Sequence, residues 1–196
     1  MSVETEVKVA VTALEEFRRR LSGLAHEQVS PRHFEDNALL DYADGRLRRQ
    51  GCLLRVRAAG GVASVTFKGP PAESDLYKIR EELETRVESA AAALGIFERL
   101  GLRVWFRYQK YRTEYRIGGR DADSGVALAL DETPIGVYAE FEGSQEAIRR
   151  AAASMGYGSS QFLRDSYYGL YLEFCRARGL PAADMVFDER RPAGAM

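Results

Sequence analysis

Val3-Glu4-Thr5-Glu6-Val7-Lys8-Val9 has the side-chain period of a β-strand. Successive strand residues point to opposite faces, so Glu4, Glu6 and Lys8 share one face while Val3, Val7 and Val9 lie on the other. Two carboxylates and an amine side by side suit a divalent cation and the anion it escorts.

Working outward, the same alternation returns. Arg55 and Arg57 alternate with Leu54 and Val56, and Thr66 and Lys68 with Val65 and Phe67. Arg80, Glu82 and Glu84 alternate with Ile79 and Leu83; Lys110 and Arg112 lie two apart; Glu140 and Glu142 flank Phe141. Gly60-Gly61 between two such runs is a hairpin signal. Residues 103–107 and 111–117 read as separate strands, with a loop over 118–125 before a strand at 126–130, for about eight strands in all.

Helices are interspersed. Thr12 and Glu15 have capping-box spacing ahead of Leu14, Phe17, Leu21 and Leu24, with Gly23 as the stop. Further helices follow Ser89 and Ser144, each after an acidic strand. Residues 162–176 place Leu163, Tyr167, Leu170, Tyr171 and Phe174 on one helical stripe.

An ordinary barrel turns its apolar face inward and its charges to water. Here the amphipathic helices must bury their own apolar stripes, and the surface open to them is the apolar face of these strands. Helices outside imply charges inside, lining a tunnel. Basic and acidic residues crowded into one cavity suit a ligand carrying both signs. A polyphosphate with magnesium or manganese is such a ligand, because Arg and Lys meet phosphate oxygens and carboxylates meet the metal.

Composition agrees. The 196 residues are 45% hydrophobic and 29% charged, as in a globular chain with one sizeable core. The 28 basic and 29 acidic residues leave a net charge of −1, which argues against duplex nucleic acid as a partner. Cys52 and Cys175 lack metal-ligand spacing and fit a reducing, cytoplasmic setting; no apolar run approaches the roughly 20 residues of a membrane span. His26 and His33 are too few and too poorly spaced for a zinc site. Arg18-Arg19-Arg20 reads as the solvated side of a helix, and Trp105, beside Phe106, as packing.

Glu4-Thr-Glu6-Val-Lys8 resembles the ExExK signature of the CYTH superfamily, the triphosphate tunnel metalloenzymes, named for class IV adenylate cyclases and thiamine triphosphatases. The resemblance continues through His33-Phe-Glu-Asp36, Leu54-Arg-Val-Arg57, Thr66-Phe-Lys68-Gly, Arg80-Glu-Glu82, Lys110-Tyr-Arg112, Leu130-Asp131-Glu132, Gly136 and Glu140-Phe-Glu142, ending near Ser166-Tyr167. In the second strand the family commonly has Tyr-Phe-Asp, and here His33 to Asp36 departs from it.

This resemblance implies an α+β fold, an eight-stranded antiparallel β-barrel enclosing a charged tunnel with helices packed outside. A tunnel domain is expected over residues 1–178, followed by a partly disordered C-terminal extension, 179–196, in which residues 188–196 read as a disordered tail. Lys8, Arg55, Arg57, Lys68, Arg80, Lys110 and Arg112 would grip a triphosphate, and Glu4, Glu6, Glu82, Asp131, Glu140 and Glu142 would hold Mg²⁺ or Mn²⁺. Glu4, Glu6 and Lys8 are the expected catalytic residues. The expected activity is metal-dependent hydrolysis of a small triphosphate: tripolyphosphate, thiamine triphosphate or a nucleoside triphosphate. The alternative is a class IV cyclase making cyclic AMP and pyrophosphate from ATP. Met185-Val186-Phe187 is a candidate docking segment, either for the parent barrel or for a second copy in a homodimer.

Overall fold

The computed structural model describes residues 2–119 and 125–188. Eight antiparallel strands close into one barrel: β1 (Ser2–Ala10), β2 (His26–Tyr42), β3 (Leu53–Ala59), β4 (Val62–Lys68), β5 (Lys78–Val87), β6 (Leu102–Gly118), β7 (Gly125–Thr133) and β8 (Gly136–Glu142). Around the barrel their order is β1-β5-β4-β3-β2-β6-β7-β8, so β1 stands across the lumen from β2. β3 and β4 form the expected hairpin; Gly60 (φ 54°) and Gly61 (φ 82°) supply the two positive φ angles that a tight turn between twisted strands requires.

The expected strands at 103–107 and 111–117 are one strand, β6, which pairs with β2 from Leu102 to Ile117. No turn former interrupts Tyr108-Gln109-Lys110, so the alternation runs straight through.

Helices α1 (Leu14–Ser22), α2 (Arg46–Arg49), α3 (Ala90–Arg99), α4 (Gln145–Ser154) and α5 (Tyr167–Arg178), with a short 3-10 turn over Ser159–Gln161, complete the described fold. Ser89, Ser144 and Ser166 cap α3, α4 and α5 by accepting from the backbone N–H groups of Ala92, Ala147 and Gly169. The capping box expected at Thr12 does not form: α1 has Ala13 at its N-cap, and Glu15 instead pairs with Arg18 in solvent. Arg19 and Arg20 pair with Glu16 on the same solvated side. Residues 162–166 are not helical either; Leu163 bridges to Lys8, exchanging backbone hydrogen bonds of 3.0 and 2.8 Å, and α5 starts four residues later.

The apolar core lies between barrel and helices. Val7, Val9, Leu128, Leu130, Ala139 and Phe141 on the outer barrel face pack with Phe17 and Leu21 of α1, with Ile148 and Ala152 of α4 and with Met155 at its C-cap. Each such large side chain taken from water contributes about 1.5–3 kcal/mol. Val3 is the exception to the apolar face of β1, at 72% exposed, because no helix reaches it. A second cluster joins Phe106 and Tyr108 to Tyr167, Leu170 and Met185, and a third sets Ala93 of α3 against Leu40, Val56 and Leu102. Trp105 packs edge-on to Tyr168, with ring centroids 4.8 Å apart.

The C-terminal segment docks on its own barrel. Met185 is buried and pairs with β6, accepting from Gln109 N–H and donating to the Arg107 carbonyl, both at 2.9 Å. The tail expected to be disordered lies, apart from Asp188, outside the described residues. Among the described residues no helix is long and apolar enough to cross a membrane.

Candidate active site

With helices covering the outer face, charged rows of β1, β3, β4, β5, β6 and β8 turn into the lumen. The cavity within the barrel measures about 560 Å³, within the range of small-molecule sites. Glu4, Glu6, Lys8, Arg55, Arg57, Lys68, Glu82, Lys110, Arg112, Glu140 and Glu142 all line it.

The strand order sorts these charges. Six of the lining carboxylates come from three adjacent strands, Glu140 and Glu142 on β8, Glu4 and Glu6 on β1, Glu82 and Glu84 on β5; Glu114 on β6 is the exception. Arg55 and Arg57 on β3 and Lys110 and Arg112 on β6 flank β2 on the far side. The barrel thus has an acidic wall centred on β1 and a basic wall centred on β2.

Lysines partly neutralise the acidic wall. Lys8 lies 3.3 Å from Glu6 and 3.1 Å from Glu140, Lys78 lies 2.8 Å from Glu6, and Lys68 pairs with Glu4 and, at 2.8 Å, with Glu82. Burial favours the neutral acid at Glu6, yet Lys8 and Lys78 hold it well below the usual carboxylate range. Burial likewise opposes the charge on Lys8, and Glu140 and Glu6 overcome it to raise its pKa. Glu4 goes the other way: burial, then the neighbouring Glu6 charge, push it up to about 8. Burial also raises Glu142, which stands in no ion pair among the described residues. The wall holds more carboxylate than its lysines compensate.

That surplus is the chemistry a hard divalent cation meets, because carboxylate oxygens are its preferred donors and its charge would relieve Glu4 and Glu142. The donors are not gathered in advance. Among the described residues no three Asp, Glu, His or Cys groups converge as a metal cage. Lys68 bridges Glu4 and Glu82, and Lys8 bridges Glu6 and Glu140, in the places between carboxylates.

Behind the basic wall the anchors are firm. Asp131, fully buried, accepts from Arg112 Nε at 2.7 Å, Arg112 Nη2 at 2.6 Å, Lys110 Nζ at 2.8 Å and the Tyr167 hydroxyl at 2.5 Å. Both its oxygens are engaged, and it is not part of the cavity lining, unlike the other carboxylates expected to hold metal. Arg80 also stands off the lining; its Nε is buried with no hydrogen-bond partner. Arg55 donates to Thr66 at 3.0 Å, and its buried Nε is likewise open.

Several residues of the site escaped the sequence reading. Lys78 continues the inward row of Arg80, Glu82 and Glu84, a signal available from parity alone. In the His33-to-Asp36 stretch the inward carboxylate is Glu35, which meets Arg57 and Lys110, whereas Asp36 faces out to Arg107. Asp41, further along β2, accepts from the N–H groups of Tyr42, Leu47 and Arg48 and so ties β2 to α2.

Residues 2–154 match the CYTH domain. The chain belongs to the CYTH family. A Methanocaldococcus jannaschii protein is 25% identical over 173 residues, covering 86% of this chain and 98% of its own. A Vibrio parahaemolyticus structure shares 20% identity and the fold, with TM-score 0.75, over 86% of this chain and 97% of its own. Both are named putative adenylate cyclases. A Hippeastrum protein, 17% identical with TM-score 0.57 over 91% of this chain and 97% of its own, is described as a putative adenylyl cyclase with a dominant triphosphatase activity.

Proposed function

We propose that this CYTH protein hydrolyses a small triphosphate in the barrel lumen with Mg²⁺ or Mn²⁺ as cofactor. The observation that carries this reading is the division of one cavity into an acidic and a basic wall. A metal–triphosphate complex has the matching polarity. Glu4, Glu6, Glu82, Glu140 and Glu142 would hold the cation, which when bound would neutralise phosphate oxygens and favour ionisation of a nearby water.

The chain's own residues then do the positioning. Arg55, Arg57, Lys110 and Arg112 bind phosphate oxygens and spread the charge that grows as the terminal phosphoryl group departs. Asp131 and Tyr167 orient Lys110 and Arg112 from behind. Glu6, ionised between Lys8 and Lys78, accepts a hydrogen bond from the attacking water and aligns it with the terminal phosphorus. Lys8 balances that charge and stays protonated throughout.

A cyclase is the second reading. It is favoured by a cavity of about 560 Å³, larger than a bare triphosphate needs. There the ribose 3′-hydroxyl of ATP attacks the α-phosphorus. Incubation of the purified protein with tripolyphosphate, thiamine triphosphate and ATP, each with Mn²⁺ or Mg²⁺, separates the readings. Orthophosphate without cyclic AMP supports the hydrolase; cyclic AMP with stoichiometric pyrophosphate replaces it with the cyclase.

A further inference from the structure

Glu35 sits behind the basic wall, off the cavity lining, where a phosphate grip has no evident use for a negative charge. Its side chain is 1% exposed, its Oε1 lies 3.1 Å from Arg57 and 4.0 Å from Arg112, and its Oε2 lies 3.5 Å from Lys110. Oε2 accepts no hydrogen bond. The surrounding cations keep the carboxyl ionised in spite of its burial.

Glu35 is not needed to aim its neighbours. Arg57 is held independently by Asn37, whose Oδ1 accepts from Arg57 Nε at 2.8 Å. Lys110 and Arg112 are held by Asp131 at 2.8 and 2.7 Å. What Glu35 adds beyond these anchors is charge. Buried out of solvent, a fixed charge acts on a nearby ligand more strongly than it would in water.

We propose that Glu35 is a specificity-determining residue: its charge weakens the basic wall's hold on free polyanions, so the cavity selects the metal complex. The penalty it imposes scales with ligand charge, so it falls hardest on the metal-free polyphosphate. This rests on the reading of the basic wall as a triphosphate grip.

The test is calorimetric titration of metal-free tripolyphosphate, in EDTA, into the full-length protein and its Glu35→Gln, Glu35→Met and Asn37→Ala variants, with thermal melts to establish folding. The expected result is at least about tenfold tighter binding on loss of the Glu35 charge, about 1.4 kcal/mol. The same variants should gain less for the Mn²⁺ complex, and Asn37→Ala, which loses an anchor, should bind more weakly than wild type. Unchanged or weaker binding by a folded Glu35 variant overturns the proposal while leaving the grip intact. If neither Glu35 variant folds, Glu35 is a structural counter-ion and the proposal is wrong. No binding by the wild type, with or without Mn²⁺, overturns the triphosphate reading and this inference with it.

Discussion

The Tyr167 hydroxyl donates to Asp131 Oδ2 across 2.5 Å of buried space, fastening the first turn of α5 to the far end of β7. Burial and then the Asp131 charge raise the Tyr167 pKa well above its ordinary value, so the proton stays on the phenol. Because the same carboxylate holds Lys110 and Arg112, the C-terminal helix and the basic wall share one anchor.

Tyr167→Phe removes that donor while keeping the ring. A hydrogen bond to a charged acceptor is worth about 1.5–3 kcal/mol, and a loss of that size is expected in urea unfolding. The KM for triphosphate should also rise, as Lys110 and Arg112 lose definition. A variant as stable as wild type would contradict this.

Glu6→Gln keeps the shape of the side chain and removes the charge that Lys8 and Lys78 surround. Steady-state turnover should fall at least about a hundredfold, equivalent to roughly 2.7 kcal/mol of transition-state stabilisation. Near-normal kcat in the folded variant would remove Glu6 from the centre.

Divalent affinity should depend on pH. The Glu4 carboxyl is raised to about 8 in the metal-free protein, so binding a cation there must displace a proton. Mn²⁺ affinity, followed by calorimetry, should rise as pH goes from 6.5 to 8.5, with proton release at the lower value. A flat profile would show that Glu4 is no ligand.

Asp41 makes an acid-side prediction. Burial works against its ionisation, but the N–H groups of Leu47 and Arg48 and the Arg48 guanidinium prevail, and its pKa is lowered. A lowered carboxyl stabilises the fold above its unfolded value of about 3.9, and that contribution is lost as pH falls through the folded value. Asp41→Ala should therefore cost on the order of 2–3 kcal/mol at pH 7, with the gap to wild type closing in denaturation curves below pH 4.

The division between what the sequence made legible and what it hid follows from the physics. Alternation is local, so the inward rows on β1, β3, β6 and β8 could be read directly, and the need to bury helix stripes told which face was in. Parity does not report depth. Asp131 and Glu140 both point inward, yet only Glu140 reaches the cavity, because Tyr167 and the basic wall close over Asp131. Likewise β1 and β5 pair only as far as Glu6, which leaves the slot that Leu163 fills and delays α5; that depends on where distant strands part company. Glu35 was hidden by a neighbour, since Glu35-Asp36 offers two carboxylates of opposite parity and only the register with Lys110 says which one is inside.

In the proposed function one wall takes the metal and the other the triphosphate. Its most direct test is the anomalous diffraction of crystals grown with Mn²⁺ and tripolyphosphate. Manganese is expected against the carboxylates of β1, β5 and β8 and phosphates against Arg55, Arg57, Lys110 and Arg112. Manganese or phosphate ordered outside the lumen, with the lumen holding only solvent, would contradict it.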